Sequence, residues 1–332
     1  MKKLLTTMVA AVACYATVAS AAEIKPAVVY DLGGKFDRSF NQSAHMGAEK
    51  YKEDTGTAYR DFEIQNDSQR EQAMRNFARR GMNPIVVIGF SQASALEKVA
   101  AEFPDTNFAI VDSVVDLPNV QSILFKEQEG SFLVGVLAAM ASKTHKVGFV
   151  GGMDIPLIHK FSCGYAQGVK YANADTEVFQ NMTGTTGAAW NDPVKGGELA
   201  KSQFDRGADV IYHAAGGTGV GVLQTAADEG MLSIGVDANQ NYLHPGQVLT
   251  SMMKRVDNAV YDAFTAGEAL EPGFNVMDLS NGGVGYAVDE NNADLITAEM
   301  TAALEEAQAK IVAGEISVHN YNTDESCPAL DF

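Results

Sequence analysis

Apolar and polar positions alternate in blocks along this chain. Short unbroken runs of apolar, often β-branched residues recur: Ala27-Val28-Val29-Tyr30, Pro84-Ile85-Val86-Val87-Ile88, Phe108-Ala109-Ile110-Val111, Lys146-Val147-Gly148-Phe149-Val150, Val210-Ile211-Tyr212 and Ser233-Ile234-Gly235-Val236. Residues 57–64 and 177–182 read as further strands. Between them lie amphipathic stretches: 41–55, 68–81, 94–103, 127–142, one ending near 172, 193–206 and 219–229. Residues 256–264 and 293–312 close the series. Ser68 followed by Glu71 predicts a capping box, and Pro193 suits a first helical turn. Strand runs that do not alternate belong to parallel sheets covered by helices on both faces.

The pattern runs once to Asp112 and restarts at Glu127, with no Pro/Ser-rich linker between the two units. The expectation is an α/β chain of two doubly wound parallel-sheet lobes that share strands across a hinge. In such sheets ligands bind outside the carboxyl ends of the strands. Two lobes facing each other there form a closing cleft.

The first residues stand apart from this pattern. Lys2 and Lys3 precede an apolar stretch, residues 4–18, that is shorter than the ~20 residues of a membrane-spanning helix, and Ala19-Ser20-Ala21 is an A-x-A cleavage site. Residues 1–22 are therefore expected to be a cleaved secretory signal, and the protein to be periplasmic. Cys14 follows small residues but lacks the usual Leu three positions earlier, so lipid anchoring there is disfavoured. Cys163 and Cys327 then remain, and an oxidising compartment allows them to pair or to stay separate thiols.

The 332 residues carry 24 Lys+Arg against 42 Asp+Glu, a net charge of −18 that becomes −20 when the two lysines of the signal leave. That balance disfavours a nucleic-acid polymer as partner. The six His show no zinc spacing, and neither a metal nor a cofactor is expected.

Candidate chemistry sits at the strand ends. Asp31, Asp112 and Asp237 each end a strand. A carboxylate there accepts hydrogen bonds from ring N–H groups or ribose hydroxyls. Capping the next helix explains any one of them equally well, but three in equivalent places point to a site. Phe40 and Phe90 follow strands in polar loops, and Tyr212 ends one, so they are candidates to stack on a flat ligand. Phe36 reads as part of a satellite cluster under its loop. Lys254 follows an apolar run where the chain re-enters the first lobe, and its ammonium can donate to a ribose oxygen. Gly216-Gly217-Thr218-Gly219 is a βα turn with exposed backbone N–H groups. Its match to the dinucleotide fingerprint is broken at the third Gly. No nucleophile is paired with a base.

The segment Asp31-Leu32-Gly33-Gly34-Lys35-Phe36-Asp37-Arg38-Ser39-Phe40-Asn41-Gln42-Ser43 resembles the opening motif of the basic membrane protein family, purine-nucleoside-binding proteins of ABC transporters. Ala215-Gly216-Gly217-Thr218-Gly219 and Leu249-Thr250-Ser251-Met252-Met253-Lys254 extend the resemblance. It implies a type I periplasmic-binding-protein fold with three crossovers. One lobe would comprise residues 23–124 plus 254–282, the other 125–253 plus 283–332. It implies stacking on Phe40 and Tyr212, base recognition by Asp31 and Asp112, and ribose contacts from Asp237, Lys254 and the backbone near Gly216, with Asn41 as a further polar contact. Leu32 stands where relatives often carry a polar residue, which leaves guanine against adenine open. The expected partners are a purine nucleoside (adenosine, guanosine or inosine) and an ABC permease, with the protein a monomer and not an enzyme. The alternatives are another small ligand (nucleobase, sugar or signalling molecule) or a nucleoside-processing enzyme.

Overall fold

The computed structural model describes residues 24–330, so the expected signal segment and Cys14 lie outside the described residues. In chain order, β1 (Ala27–Tyr30), α1 (Phe40–Thr55), β2 (Arg60–Glu63), α2 (Arg70–Arg79), β3 (Ile85–Ile88), α3 (Ala93–Glu102), β4 (Phe108–Val111) and β5 (Val120–Phe125) build the first lobe. Then α4 (Glu127–Ala141), β6 (Lys146–Met153), α5 (Pro156–Ala172), β7 (Glu177–Gly184), α6 (Pro193–Asp205), β8 (Val210–Ala214), α7 (Gly219–Asp228), β9 (Leu232–Asp237) and β10 (Val248–Lys254) build the second. The chain returns to the first lobe with α8 (Val256–Ala266) and β11 (Gly273–Met277), and to the second with β12 (Val284–Tyr286) and α9 (Ala298–Val312).

Each sheet has six strands, ordered β11-β5-β4-β3-β1-β2 and β12-β10-β9-β8-β6-β7. Every pairing is parallel except that of β12 with β10. The chain passes between the sheets three times: after β5, after β10 and after β11. This is the doubly wound, two-lobed architecture expected, with its three crossovers. The β5, β10, β11 and β12 strands were not predicted, although the apolar run of β10 was noted. The β11 strand is an exposed edge and β12 has three residues, so neither carries an apolar run.

The central strands are buried on both faces, which is why they read as continuous apolar runs. One core spans the molecule, from Val28, Ile88 and Val111 through Phe132 to Tyr165 and Tyr212. Within it α4 and α5 pack backbone to backbone. A Cβ on Gly135 would lie 2.1 Å from the Tyr165 carbonyl oxygen, and one on Gly168 1.9 Å from that of Phe132. The α2 start differs from expectation. The capping box is formed by Asn66 and Gln69, while the Ser68 hydroxyl donates to Asn66 and Glu71 pairs with Arg75 and Lys98 on the surface.

Cys163 on α5 is bonded to Cys327 in the C-terminal segment, with Cα atoms 5.7 Å apart. The same segment is held by Gln167, which accepts from the His319 amide and donates to its carbonyl. The bond closes a loop of 164 residues in sequence, and such cross-links contribute about 2–4 kcal/mol by restricting the unfolded chain. Replacing both residues, Cys163→Ser with Cys327→Ser, is expected to lower the unfolding free energy by about that amount in urea titrations. Reductant should lower the stability of the parent protein and leave the double variant unchanged.

Candidate functional site

The carboxyl ends of the two sheets face each other around a narrow cleft of about 70 Å³. From the first lobe come Asp31 after β1, Phe40 and Asn41 at the start of α1, Phe90 after β3 and Asp112 after β4. From the second come Gly216 after β8, Asp237 at the end of β9 and Lys254 at the end of β10.

Tyr212 is not in this group. It lies inside β8, where its side chain faces away from the cleft end. It is fully buried against Phe149 and Tyr165, and its hydroxyl is 3.2 Å from that of Ser131. A ring locked in the core cannot stack on a ligand, so the stacking role expected for Tyr212 is corrected. The second lobe instead presents Trp190 and Phe161 to the cleft. Trp190 lies flat against Gly152, where a Cβ would sit 2.1 Å from its ring. The signal for Trp190 was available as the chain's single Trp in a polar stretch before Pro193. Phe161 was hidden because its helix spacing matches a core residue.

The first-lobe loop is built before any ligand arrives. Asp37 accepts from the backbone N–H groups of Ser39, Asn41 and Gln42, which caps α1. Burial pushes the Asp37 carboxyl up, and those amide bonds oppose the rise. Asn41 accepts from the Asp31 amide and donates to the Leu32 carbonyl. Its amide is thus spent on holding the end of β1, and it acts on the cleft through Asp31 and Leu32. Phe36, expected in a satellite cluster, is exposed and packs edge-on against His45.

Asp112 and Asp237 share an unusual backbone, with φ of 69° and 64°. Asp is among the few non-glycine residues that enter this left-handed region readily. The turn aims each carboxylate across the strand ends. Lys254 Nζ lies 2.6 Å from Asp112 Oδ2 and 3.0 Å from Glu127 Oε1, and is 1% exposed. Lys160 holds the other side of Glu127 at 2.6 Å. The rings of Phe40, Phe125 and Phe161 surround the same ammonium at 5.0–5.5 Å. Burial alone would lower Lys254, but Asp112 and Glu127 outweigh it and hold the amine charged. Burial likewise favours a neutral Glu127, and Lys160 with Lys254 brings it below its ordinary value. Burial dominates at Asp112 and pushes it up against the pull of Lys254. An ammonium has three N–H donors, so two carboxylates leave one for the cleft.

Asp237 is buried and accepts from the Ser39 hydroxyl at 2.5 Å, a bond between the lobes. Gln240 adds another by donating to the Arg38 carbonyl at 2.9 Å. Burial pushes Asp237 up to about 7, with Lys254 opposing the shift. Asp112 Oδ1 is buried without a hydrogen-bond partner. The cleft thus combines aromatic walls, acceptor carboxylates and one spare cationic donor. Among the described residues no cluster of His, Cys, Asp or Glu is arranged to hold a metal.

Residues 24–322 match the profile of the family described as Bmp, ABC transporter substrate-binding protein PnrA-like. The chain belongs to the Bmp family. This Bmp protein is 35% identical over 322 residues to the ABC transporter nucleoside-binding protein BmpA of Lactococcus lactis, covering 89% of each chain. It is 31% identical over 315 residues to basic membrane protein A of Borreliella afzelii, covering 88% of this chain and 91% of that one. Relatives from Pyrococcus abyssi and Pyrococcus horikoshii are named lipoproteins. Among solved structures, a solute-binding protein of an ABC transporter system from Aeropyrum pernix superposes with TM-score 0.83 at 29% identity, over 91% of this chain and 95% of that one. This Bmp protein is accordingly a substrate-binding protein of an ABC transporter. Among its described residues no helix is long and apolar enough to cross a membrane.

Two stability outcomes follow for the ligand-free protein. Lys254→Met removes the shared partner of two buried carboxylates and is expected to cost about 3–5 kcal/mol in denaturant unfolding. Asp237 carries a folded pKa near 7 against an ordinary 3.8. The folded state therefore disfavours the charged form, and the group's opposition to folding grows as pH rises from about 4 to 7. Asp237→Asn should flatten the stability profile across that window, relative to the parent, in melts taken at several pH values.

Proposed function

We propose that this protein captures a purine nucleoside in the interlobe cleft and delivers it to its ABC permease. The observation that carries the reading is the partnerless, buried Asp112 Oδ1 in a cleft walled by Phe40, Phe90 and Trp190. A buried acceptor left empty is costly unless a ligand donor fills it, and flat aromatic walls suit a planar base. A nucleoside supplies both, since base N–H groups and ribose hydroxyls are donors and the uncharged molecule needs no phosphate clamp.

In this reading the base lies between Phe40 and Trp190, with Asp31 and Asp112 as its polar contacts. The ribose meets Asp237, Lys254 and the turn at Gly216. The relative named nucleoside-binding supports the ligand class. The basic start and A-x-A site support export to the periplasm with cleavage near residue 22. Closure follows because ligand held by one lobe gains contacts from the other, so the closed state is favoured by that difference in affinity.

Calorimetric titration of refolded, ligand-stripped protein with inosine, guanosine and adenosine tests the proposal. At least one is expected to bind more tightly than about 100 μM, ~−5.5 kcal/mol, and three failures would sink it. Phe40→Ala and Trp190→Ala should each weaken binding at least tenfold, about 1.4 kcal/mol, while Tyr212→Phe should leave it unchanged. Ribose hydroxyls donate to the charged form of Asp237, so binding should release protons near pH 7 and tighten between pH 6 and 8. Titrations in buffers of different ionisation enthalpy read that release, and Asp237→Asn should abolish it.

A further inference from the structure

Gln240 follows β9 in the second lobe and is fully buried, yet it is not among the residues that line the cleft. Three strands of its own lobe hold it. Its backbone N–H donates to the Ser251 hydroxyl of β10 at 2.9 Å. Its Oε1 accepts from the Val236 amide of β9 at 2.8 Å and lies 2.9 Å from Nε2 of His213 in β8. The Val236 amide can only donate, so this end of the side chain is the oxygen, and His213 donates to it. Burial pushes His213 down to about 4, so the ring is neutral near pH 7 and this bond fixes its tautomer. Two glycines make room. A Cβ on Gly235 would lie 2.6 Å from Oε1, and one on Gly219 would lie 2.0 Å from the His213 ring.

With the oxygen fixed inside the second lobe, the amide nitrogen is turned to the first. It donates to the Arg38 carbonyl at 2.9 Å. Arg38 has φ of 63°, a left-handed conformation that residues other than glycine enter at a cost. Its side chain is exposed, so the turn presents backbone, not guanidinium, to Gln240. Across the cleft, beyond β7, the lobes meet again: a Cβ on Gly187 would lie 2.9 Å from the Leu32 side chain. The lobes are therefore closed on one another at both sides.

We propose that Gln240 is a latch between the lobes, which favours the closed form without touching the ligand. Its bond to Arg38 is made of protein atoms alone, so it contributes to closure whatever the cleft holds. Opening separates a buried donor from its acceptor, and that loss opposes the motion. A ligand that leaves only through the open form is then retained longer, and its apparent affinity follows the population of the closed form. Ser39 differs, because its partner Asp237 lines the cleft. Gln240 is a positioning residue with no such second role, and its action does not depend on the ligand being a nucleoside.

Gln240→Met keeps the length of the side chain and removes the donor. Gln240→Glu keeps an acceptor for Val236 and His213 and replaces only the group aimed at Arg38. Small-angle scattering of ligand-stripped protein at pH 8 reads the opening of the lobes, and stopped-flow kinetics with inosine read its release. Both variants are expected to enlarge the radius of gyration and to raise the inosine dissociation rate about three- to tenfold, with the association rate near that of the parent. A merely structural role would lower the unfolding midpoint and leave the scattering and the dissociation rate of the folded protein unchanged. That result in Gln240→Met, or in Gln240→Glu where Gln240→Met does not fold, overturns the latch. Failure of inosine to bind the parent protein counts against the nucleoside reading, and scattering alone then decides the latch.

Discussion

A charged amine with almost no access to water is the constraint around which this cleft is arranged. Lys254 ends β10 at a crossover, and it is tolerable there because Asp112 from the first lobe and Glu127 at the start of α4 both reach it. An isolated buried ammonium would lose its charge or unfold the region. With its charge met by two carboxylates, it joins the two sheets by an ion pair, and it draws Phe40, Phe125 and Phe161 around itself. Lys160 completes the balance by neutralising the far side of Glu127. The polar groups that face the cleft are the ones this arrangement leaves partly unfilled.

The same logic governs the rest of the cleft wall. Carboxylates are placed at strand ends by short turns, two of them in left-handed backbone, and each is given fewer donors than it can accept. Groups that only hold the wall, such as Asp37 and Asn41, are saturated by backbone amides and carbonyls. Saturation therefore separates scaffold from contact surface better than position does, since both kinds line the cavity. The lobes already touch through Ser39–Asp237 and Gln240–Arg38, so a ligand adds contacts to an interface that exists.

Much of this was legible in the sequence for identifiable reasons. The parallel strands announced themselves because burial on both faces forces unbroken apolar runs. The strand-end acids were visible because each apolar run stops at an Asp: Asp31, Asp112 and Asp237. Tyr212 misled because periodicity places a residue on a strand without saying which sheet face or end it occupies, and the ring turned into the core. Trp190 and Phe161 were missed because one follows an edge strand and the other looks like an ordinary core position on its helix. The pairing of Cys163 with Cys327 needed a distance between segments far apart in sequence.

The three passages between the sheets have a consequence for how such a protein can change. No contiguous stretch of the chain contains a whole lobe: the first sheet takes strands from the opening and the late part of the sequence, and the second takes β6 to β10 from the middle and β12 from beyond β11. Recombination that exchanged one half of the gene would therefore swap parts of both lobes and break both cores. New ligand preferences must arise by replacing single residues at the strand ends, leaving the scaffold that carries them intact.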